Sequence, residues 1–352
     1  RDGMYVTPQI DFLTDAGAKL SRPMKSGDVV IAVSGNPGLP AILNSDACIH
    51  DGFVRFRHLD TKRISNVFLY HFLKANKDKT NSKAVGAIFK NLTTDQLKEI
   101  EVPTPDLKTQ QKIAGILEQA DAARQKRKQA NQLTEQFLQS AFLEMFGDPV
   151  RNEKGWEVKE LGELGYDKNS IVDGPFGSSV NTKVDYIDDG EIPVIRTKNV
   201  GTFEFFVEDL KFMSREKFET VKRSSVIHGD IILTKVGTIG NVCIFPNLFS
   251  QAVLSTTGSC RIRVNRDIVN SIYLLHYLNL YKPMMMKWAS TAVQAFLNMA
   301  QIKSFKVPLP PLPLQQKFAA LVEQVERLRT KQRESERELE NLFQSLMQKY
   351  FG

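Results

Sequence analysis

Between Ile113 and Ala141 residues that can line a helix face recur at steps of three and four: Ile113, Ile116, Ala120, Ala123, Arg127, Ala130, Thr134, Phe137 and Ala141. The same spacing returns at Phe318, Leu321, Val325, Leu328, Leu339, Leu342 and Leu346, with Gln332 and Ser335 filling the middle slots. A sustained 3-4 alternation between charged flanks predicts the seam of a coiled coil, so two long helices that pair with each other. Prolines mark where each helix starts. Pro103 and Pro105 precede the first, and the next proline is Pro149; Pro308, Pro310, Pro311 and Pro313 precede the second, and none follows. Proline keeps both lead-ins extended and stops helix from spreading backward. Each helix is expected to run about 35 residues, roughly 50 Å at 1.5 Å per residue. The polar slots Arg127 and Gln332 are expected to fix register at a cost in stability.

The two helices belong to a longer repeat. VPTPDLKTQQKIAGIL (Val102–Leu117) is restated as VPLPPLPLQQKFAALV from Val307, and FLQSAFLEMFG (Phe137–Gly147) as LFQSLMQKYFG (Leu342–Gly352). FLYHFL (Phe68–Leu73) matches YLLHYL (Tyr273–Leu278), with His71 on His276. With a small gap, GDVVIAVSGNPG (Gly27–Gly38) matches GDIILTKVGTIG (Gly229–Gly240), and Arg55-Phe56-Arg57 matches Arg261-Ile262-Arg263. Order is kept throughout, which marks an internal duplication. Arg151 to about Gly201 has no counterpart in the first copy, and the chain opens on Arg1 rather than Met. The first copy is therefore expected to lack its front.

Between the helices the pattern changes to short apolar runs around glycine-rich turns, as in GDIILTKVGTIGNVCIF, and to apolar–basic alternation in SCRIRVN. These read as β-strands. The fold expected is mixed α/β (α+β): two globular domains separated and joined by two long helices in an antiparallel coiled coil, with a pseudo-twofold internal repeat. The segments expected are residues 1–101, a first globular domain; 102–150, a central helical region; 151–306, a second globular domain; and 307–352, a C-terminal helical region.

Composition narrows the function. The 352 residues are 42% hydrophobic and 25% charged, ordinary for a globular chain of two domains. No apolar run reaches the roughly 18–20 residues of a membrane span, and RDGMYVTPQI lacks the ordered zones of a signal peptide. Cys48, Cys243 and Cys260 are too few and too scattered for a disulfide framework or a zinc site, as expected of thiols in a reducing cytoplasm. The net charge of +7 permits a polyanionic partner.

No phosphate loop, HExxH, CxxC or GxSxG motif occurs. His71 and His276 lie in apolar helical stretches and read as satisfied core histidines. Pro310-Pro311 is the only PP, and it sits in a lead-in rather than before an aromatic. Asp106 with Lys108 resembles the start of a nuclease cluster, but the second copy has prolines there. The chain reads as non-catalytic, with no cofactor or metal of its own.

What remains is a surface that reads. IVDGPFGSSVNTKVDY supplies Ser178, Ser179, Asn181 and Lys183; IRTKNV supplies Arg196, Lys198 and Asn199; LTKVGTIG supplies Lys235 and Thr238; LSTTGS supplies Ser255, Thr256 and Thr257. The first copy offers Ser34, Asn36, His50 and Lys83. Arg and Lys can pair with guanine, Asn with adenine, and hydroxyls and Lys with phosphate. Each of these, taken alone, is also an ordinary solvated loop residue.

The combination of two α/β domains, each closed by VPxP…QQK and a long helix ending in FG, resembles the specificity subunits of type I restriction-modification systems. GWEVKELGEL (Gly155–Leu164) is similar to the entry of a target-recognition domain in that family. The resemblance implies that each domain reads one half of a split double-stranded DNA site and that the helix pair sets the gap between halves. It implies two methylase subunits as partners, docked on the helices and lead-ins through Gln110, Gln111, Lys112, Gln315, Gln316 and Lys317. Those partners, not this chain, would bind S-adenosylmethionine, and a nuclease/translocase (restriction) subunit could join them. A duplicated coiled-coil scaffold with no DNA readout is the alternative.

Overall fold

A computed structural model describes residues 3–7, 12–56, 59–82, 91–289 and 295–352. The chain divides into two compact units, residues 1–132 with 330–352 and residues 133–329. Each unit takes a globular part and a portion of both long helices.

In the first unit the chain runs β1 (Tyr5–Val6), α1 (Asp15–Leu20), β2 (Arg22–Met24), β3 (Val29–Ala32), β4 (Pro40–Leu43), β5 (Ala47–Ile49), β6 (Phe53–Arg55), α2 (Asn66–Ala75), α3 (Lys77–Ser82), α4 (Thr94–Lys98) and the start of α5 (Leu107–Phe146). One sheet has the order β1-β4-β3-β6, and β2 pairs with β5. β3 and β4 form the hairpin expected from the glycine-rich turn, Val29 opposite Ile42.

The second unit continues with β7 (Glu157–Glu160), β8 (Ile171–Asp173), β9 (Ile192–Ile195), β10 (Lys211–Met213), α6 (Arg215–Thr220), β11 (Ser225–Val226), β12 (Ile231–Thr234), β13 (Val242–Ile244), β14 (Ala252–Leu254), β15 (Ser259–Ile262), α7 (Ser271–Trp288), α8 (Met299–Lys303), β16 (Lys306–Leu309) and the start of α9 (Leu312–Phe351). Its sheets are β10-β9-β14-β11, β13-β12-β15-β8 and β16-β7.

The long helices are longer than the sequence pattern predicts, at 40 residues each. α5 gains its first turn from Asp106, whose carboxylate accepts from Thr109 N at 3.0 Å and Thr109 Oγ1 at 2.6 Å. Those bonds hold its pKa below the usual carboxylate range. Asp106 is thus a helix cap, not a catalytic acid. In α9 Pro313 sits in the first turn, where its missing N–H costs nothing. α5 ends at Gly147, whose φ of +82° is the left-handed conformation glycine tolerates. Trp156 Nε1 closes that end by donating to the Phe146 carbonyl at 2.9 Å.

The helices pair antiparallel, and each unit shows it. In the first, Ile113, Leu117 and Ala120 of α5 share a core with Phe343, Met347 and Phe351 of α9. In the second, Leu138, Phe142 and Phe146 of α5 share one with Phe318, Val322 and Val325 of α9. Asn131 donates to Glu336 at 2.7 Å. These are equivalent positions of the repeat, and antiparallel pairing about a local twofold brings equivalent positions together. Arg124 donates to Glu340 and to Asp121, the latter at 2.8 Å.

The predicted seam is correct at Phe318, Val325 and Gln332, all buried; it misses at Leu328, which is 49% exposed, and is off by one towards the starts, where Leu117 and Val322 are buried beside half-buried Ile116 and Leu321, and at the C-terminal ends. Phe137 and Leu342 are each 51% exposed, whereas Leu138 and Phe343 are buried. There the helix leaves a coiled-coil step of 3.5 for a step of four, with Leu138, Phe142 and Phe146 matched by Phe343, Met347 and Phe351. The packing partner at these ends is a globular domain. Phe351 meets Phe68 edge-on at 5.3 Å, and Phe146 meets Tyr273 edge-on at 4.8 Å, the same contact in both copies.

His71 and His276 lie in those two cores, 2% and 7% exposed. His71 departs from expectation in that neither ring nitrogen has a hydrogen-bond partner. Burial pushes both imidazoles down to about 4, helped by Lys74 at His71 and by Arg329 at His276. In the unfolded chain an imidazole protonates near 6.5, so acid is taken up first by the unfolded state. Stability is therefore full above pH 6.5, falls as pH drops and levels off below 4. At pH 5 each histidine is expected to cost about 2 kcal/mol relative to pH 7. Urea midpoints at the two pH values test this, and His71→Leu should flatten the dependence in the first unit.

Candidate nucleic-acid interface

In the second unit four loops meet around Ser255–Gly258, for reasons set by strand register. β14 runs parallel to β9, Leu254 beside Ile195, so the loops that follow both strands leave side by side. β8 and β12 flank the start of β15, with Asp173 opposite Cys260 and Thr234 opposite Ser259, so their loops leave at the same end. The approach is close. A Cβ on Gly174 would stand 2.0 Å from the Thr256 carbonyl oxygen, so only glycine fits there. Tyr186 and Ser255 hydroxyls bond at 2.7 Å, and Lys235 N donates to the Gly258 carbonyl at 2.9 Å.

Ser178, Ser179, Asn181 and Lys183 are exposed on the first of these loops. Its shape is held from within: Asn181 Oδ1 accepts from Lys183 N at 3.1 Å, and Asp185 accepts from Asn181 N at 2.7 Å. Backbone donation to Asp185, with Lys217 at 3.1 Å, keeps that carboxyl below its ordinary pKa. Thr238 is exposed and Thr256 half-buried.

Three residues expected at the surface, Asn199, Lys235 and Arg196, are instead held by partners within the fold. Asn199 is fully buried; its Nδ2 donates to the Phe206 and Glu208 carbonyls at 3.0 and 3.3 Å, and its Oδ1 accepts from Arg196 N at 3.1 Å. Lys235 is 6% exposed and pairs with Asp173 at 3.3 Å beneath the loops. Arg196 is half-buried and turned onto Asp209 at 3.3 Å. Lys198 is exposed but pairs with the same Asp209.

The first unit repeats the frame with other side chains. Val33 N donates to the Gly52 carbonyl at 2.9 Å, and Leu92 N donates to the Val33 carbonyl at 2.9 Å. The second unit has the matching bond from Leu297 N to the Lys235 carbonyl, also 2.9 Å. Ser34 and His50 crowd Gly52, where a Cβ would lie 2.8 Å from Ser34 Oγ and 2.5 Å from the imidazole. Ser34, Asn36 and His50 are exposed, and His50 Nδ1 accepts from Gly52 N at 2.9 Å. Lys83 lies outside the described residues.

The lead-in glutamines need correction too. Gln110 and Gln315 are fully buried. Gln110 accepts from Ser65 N at 2.9 Å and donates to the Arg63 and Pro105 carbonyls at 2.8 and 2.7 Å. Gln315 accepts from Asn270 N at 2.8 Å and donates to the Ile268 and Pro310 carbonyls at 3.5 and 2.8 Å. All three partners of one glutamine are the repeat equivalents of the other's. These amides lock each helix to its own domain and offer nothing to a partner. Gln111, Lys112, Gln316 and Lys317 remain exposed.

Sequence reasoning missed a basic cavity in the second unit lined by Lys222, Arg223, Arg261 and Arg263. The Arg-Ile-Arg repeat was its one visible signal. Among the described residues no cluster of three or more metal-ligating side chains occurs, and no helix is long and apolar enough to cross a membrane.

Duplicated domains that keep a loop frame while changing what it displays, each fastened to an antiparallel helix pair, define a two-part recognition protein. The family model described as the type I restriction modification DNA specificity domain matches residues 18–135 and 153–341. The chain belongs to that family of specificity subunits. It is the sequence-recognising component of such a system and not its catalytic one. It is 25% identical over 323 residues to the type I restriction enzyme MjaIX specificity subunit of Methanocaldococcus jannaschii, covering 86% of this chain and 71% of that one. It is 25% identical over 309 residues to the EcoBI specificity subunit of Escherichia coli, covering 81% of this chain and 62% of that one. The fold is similar to a solved type I restriction-modification S subunit from M. genitalium, with TM-score 0.59, 16% identity, and coverage of 99% of this chain and 88% of that one. It is also similar to a chain from a structural study of type I R-M complex assembly, with TM-score 0.61, 20% identity, and coverage of 94% and 82%.

Proposed function

We propose that the loops around Ser255–Gly258 read one half of a bipartite duplex site and the loops around Gly52 read the other. Ser178, Ser179, Asn181, Lys183, Thr238 and Thr256 serve the first half; Ser34, Asn36 and His50 serve the second. Lys198 joins them where phosphate displaces Asp209. The observation that carries this reading is the repeated frame with unlike side chains: the bonds at Val33 and Lys235 match, while the exposed residues above them differ. A common scaffold with variable tips suits two different base sequences. The exposed helix-start residues Gln111, Lys112, Gln316 and Lys317 repeat instead, which suits two copies of one partner. That partner is a methylase subunit, which would carry the S-adenosylmethionine, in a cytoplasmic complex that a restriction subunit could join.

The test is selection of a random duplex pool by the chain with its methylase subunit, followed by sequencing. A split motif with a constant unread gap is expected. A single uninterrupted motif would leave only one reading unit, and no enrichment at low salt would favour a scaffold without DNA readout.

A further inference from the structure

The basic cavity of the second unit has a volume of about 550 Å³. Arg261, in its wall, is 3% exposed. Its guanidinium donates to the carbonyls of Asn169, Arg223 and Ser225, and its buried Nε has no partner. Those acceptors are neutral, so the charge lies buried with no carboxylate bonded to it, a costly state. Burial, with Arg263 nearby, pushes its pKa down to about 10. Arg263 is neutralised by Asp230, at 2.8 and 2.7 Å. Arg223 stands 3.9 Å from Asp173, a carboxylate that Lys235 holds more closely at 3.3 Å. Among the described residues Lys222 has only an exposed pair with Glu219 at 2.9 Å, the weakest kind. Asp167, the cavity's own carboxylate, is taken up by Ser170 Oγ at 3.0 Å and Asn169 N at 2.9 Å.

Comparison of the two copies separates scaffold from addition. The arginine brace is shared: in the first unit Arg55 donates to the Pro23 carbonyl on β2, as Arg261 does to Ser225 on β11. The turn that carries Lys222 and Arg223 is not shared. Ser21 alone joins α1 to β2, whereas the second unit inserts a 3-10 turn, Lys222–Ser224, between α6 and β11. The common fold therefore does not require Lys222 or Arg223.

We propose that this cavity anchors a phosphate of the duplex backbone, with Lys222 and Arg223 gripping it from outside and Arg261 facing it from within. A tetrahedral anion with several oxygens suits several converging donors better than a single carboxylate does. The Lys222 and Arg223 side chains are 62% and 57% exposed, within reach of a polymer too large to enter. The proposal rests on the DNA-recognition reading and adds a grip that is blind to sequence and built on the 3-10 turn of the second unit.

The test is a Lys222→Gln/Arg223→Gln double variant of the full chain, both changes on exposed side chains. Binding to a mixed-sequence duplex is measured across a salt series. Affinity at low salt is expected to fall about tenfold, and the log–log salt slope to shrink by about 0.9–1.8. A duplex from the selection should lose affinity by the same factor, leaving sequence preference unmoved. An unchanged slope on both duplexes overturns the proposal, as does a variant that keeps duplex binding but loses its methylase subunit. Should the unmodified chain bind no duplex, the DNA reading itself fails. Inorganic phosphate then decides the cavity: thermal stabilisation that the variant loses keeps an anion site there, and no stabilisation removes it.

Discussion

Phe343→Arg is expected to unfold the first unit, while Leu342→Arg beside it leaves that unit folded. Phe343 is 2% exposed; Leu342 is 51% exposed. The Phe343 ring carries the Arg124 guanidinium 4.3 Å from its centroid and Lys74 Nζ at 5.4 Å. Removing a buried phenyl group costs about 3–5 kcal/mol through lost transfer energy and the cavity left behind. Replacing it with a cation facing two others adds desolvation and like-charge repulsion. The sum, above about 4 kcal/mol, is a large share of the roughly 5–15 kcal/mol that holds a domain folded. The exposed Leu342 change should stay within about 0.5 kcal/mol. Hydrogen exchange of α2 amides reads the outcome. Equal protection in the two variants would mean the seam follows Leu342 after all.

Gln315→Leu is expected to cost the second unit about 3–5 kcal/mol, and Gln110→Leu the first unit a similar amount. The volume is nearly kept, so cavity terms are small. The loss comes from the groups left behind: in the second unit the Asn270 N–H and the Ile268 and Pro310 carbonyls have no replacement partner in a fully buried site. Each unmet buried group costs about 1–3 kcal/mol. The chain has two tryptophans, Trp156 and Trp288, both in the second unit. Urea unfolding followed by tryptophan fluorescence should therefore shift for Gln315→Leu and barely move for Gln110→Leu. A small effect from both would mean that water replaces the amide and that the lock is ornamental.

These two sites also show what a sequence can and cannot reveal. The duplication, the paired helices and the β-rich domains were legible because they rest on periodicity and self-similarity, which survive without coordinates. The seam slipped by one residue at Ile116-Leu117, Leu321-Val322, Phe137-Leu138 and Leu342-Phe343 because each is an adjacent apolar pair. Periodicity cannot choose between such neighbours when the packing partner changes from a helix to a domain. The polar residues failed differently. Gln110, Gln315, Asn199 and Lys235 read as surface groups by type. Three of their partners, Ser65, Asn270 and Asp173, stand 45, 45 and 62 residues away along the chain, so no local pattern announces them. Burial of a polar side chain depends on a partner that only the fold supplies. The loop display was legible where nothing nearby competes, as at Ser178 and Asn181. It was not legible where Asp209 takes up Arg196 and Lys198.

The contact of Phe351 with Phe68 has a consequence for how the molecule is made. A ribosome releases Phe68 long before it adds Phe343, Met347 and Phe351, yet the core around Phe68 needs all three. The second unit, bounded by residues 133–329, has every part in hand before the first does. The order of completion is thus the reverse of the order in which the two globular parts begin: the earlier-born unit waits, with α2 uncovered, for the last turns of α9. Such late closure between distant positions is slow and leaves apolar surface open in the interval. A nascent chain halted shortly before Phe343 would hold a finished second unit and an unfinished first one.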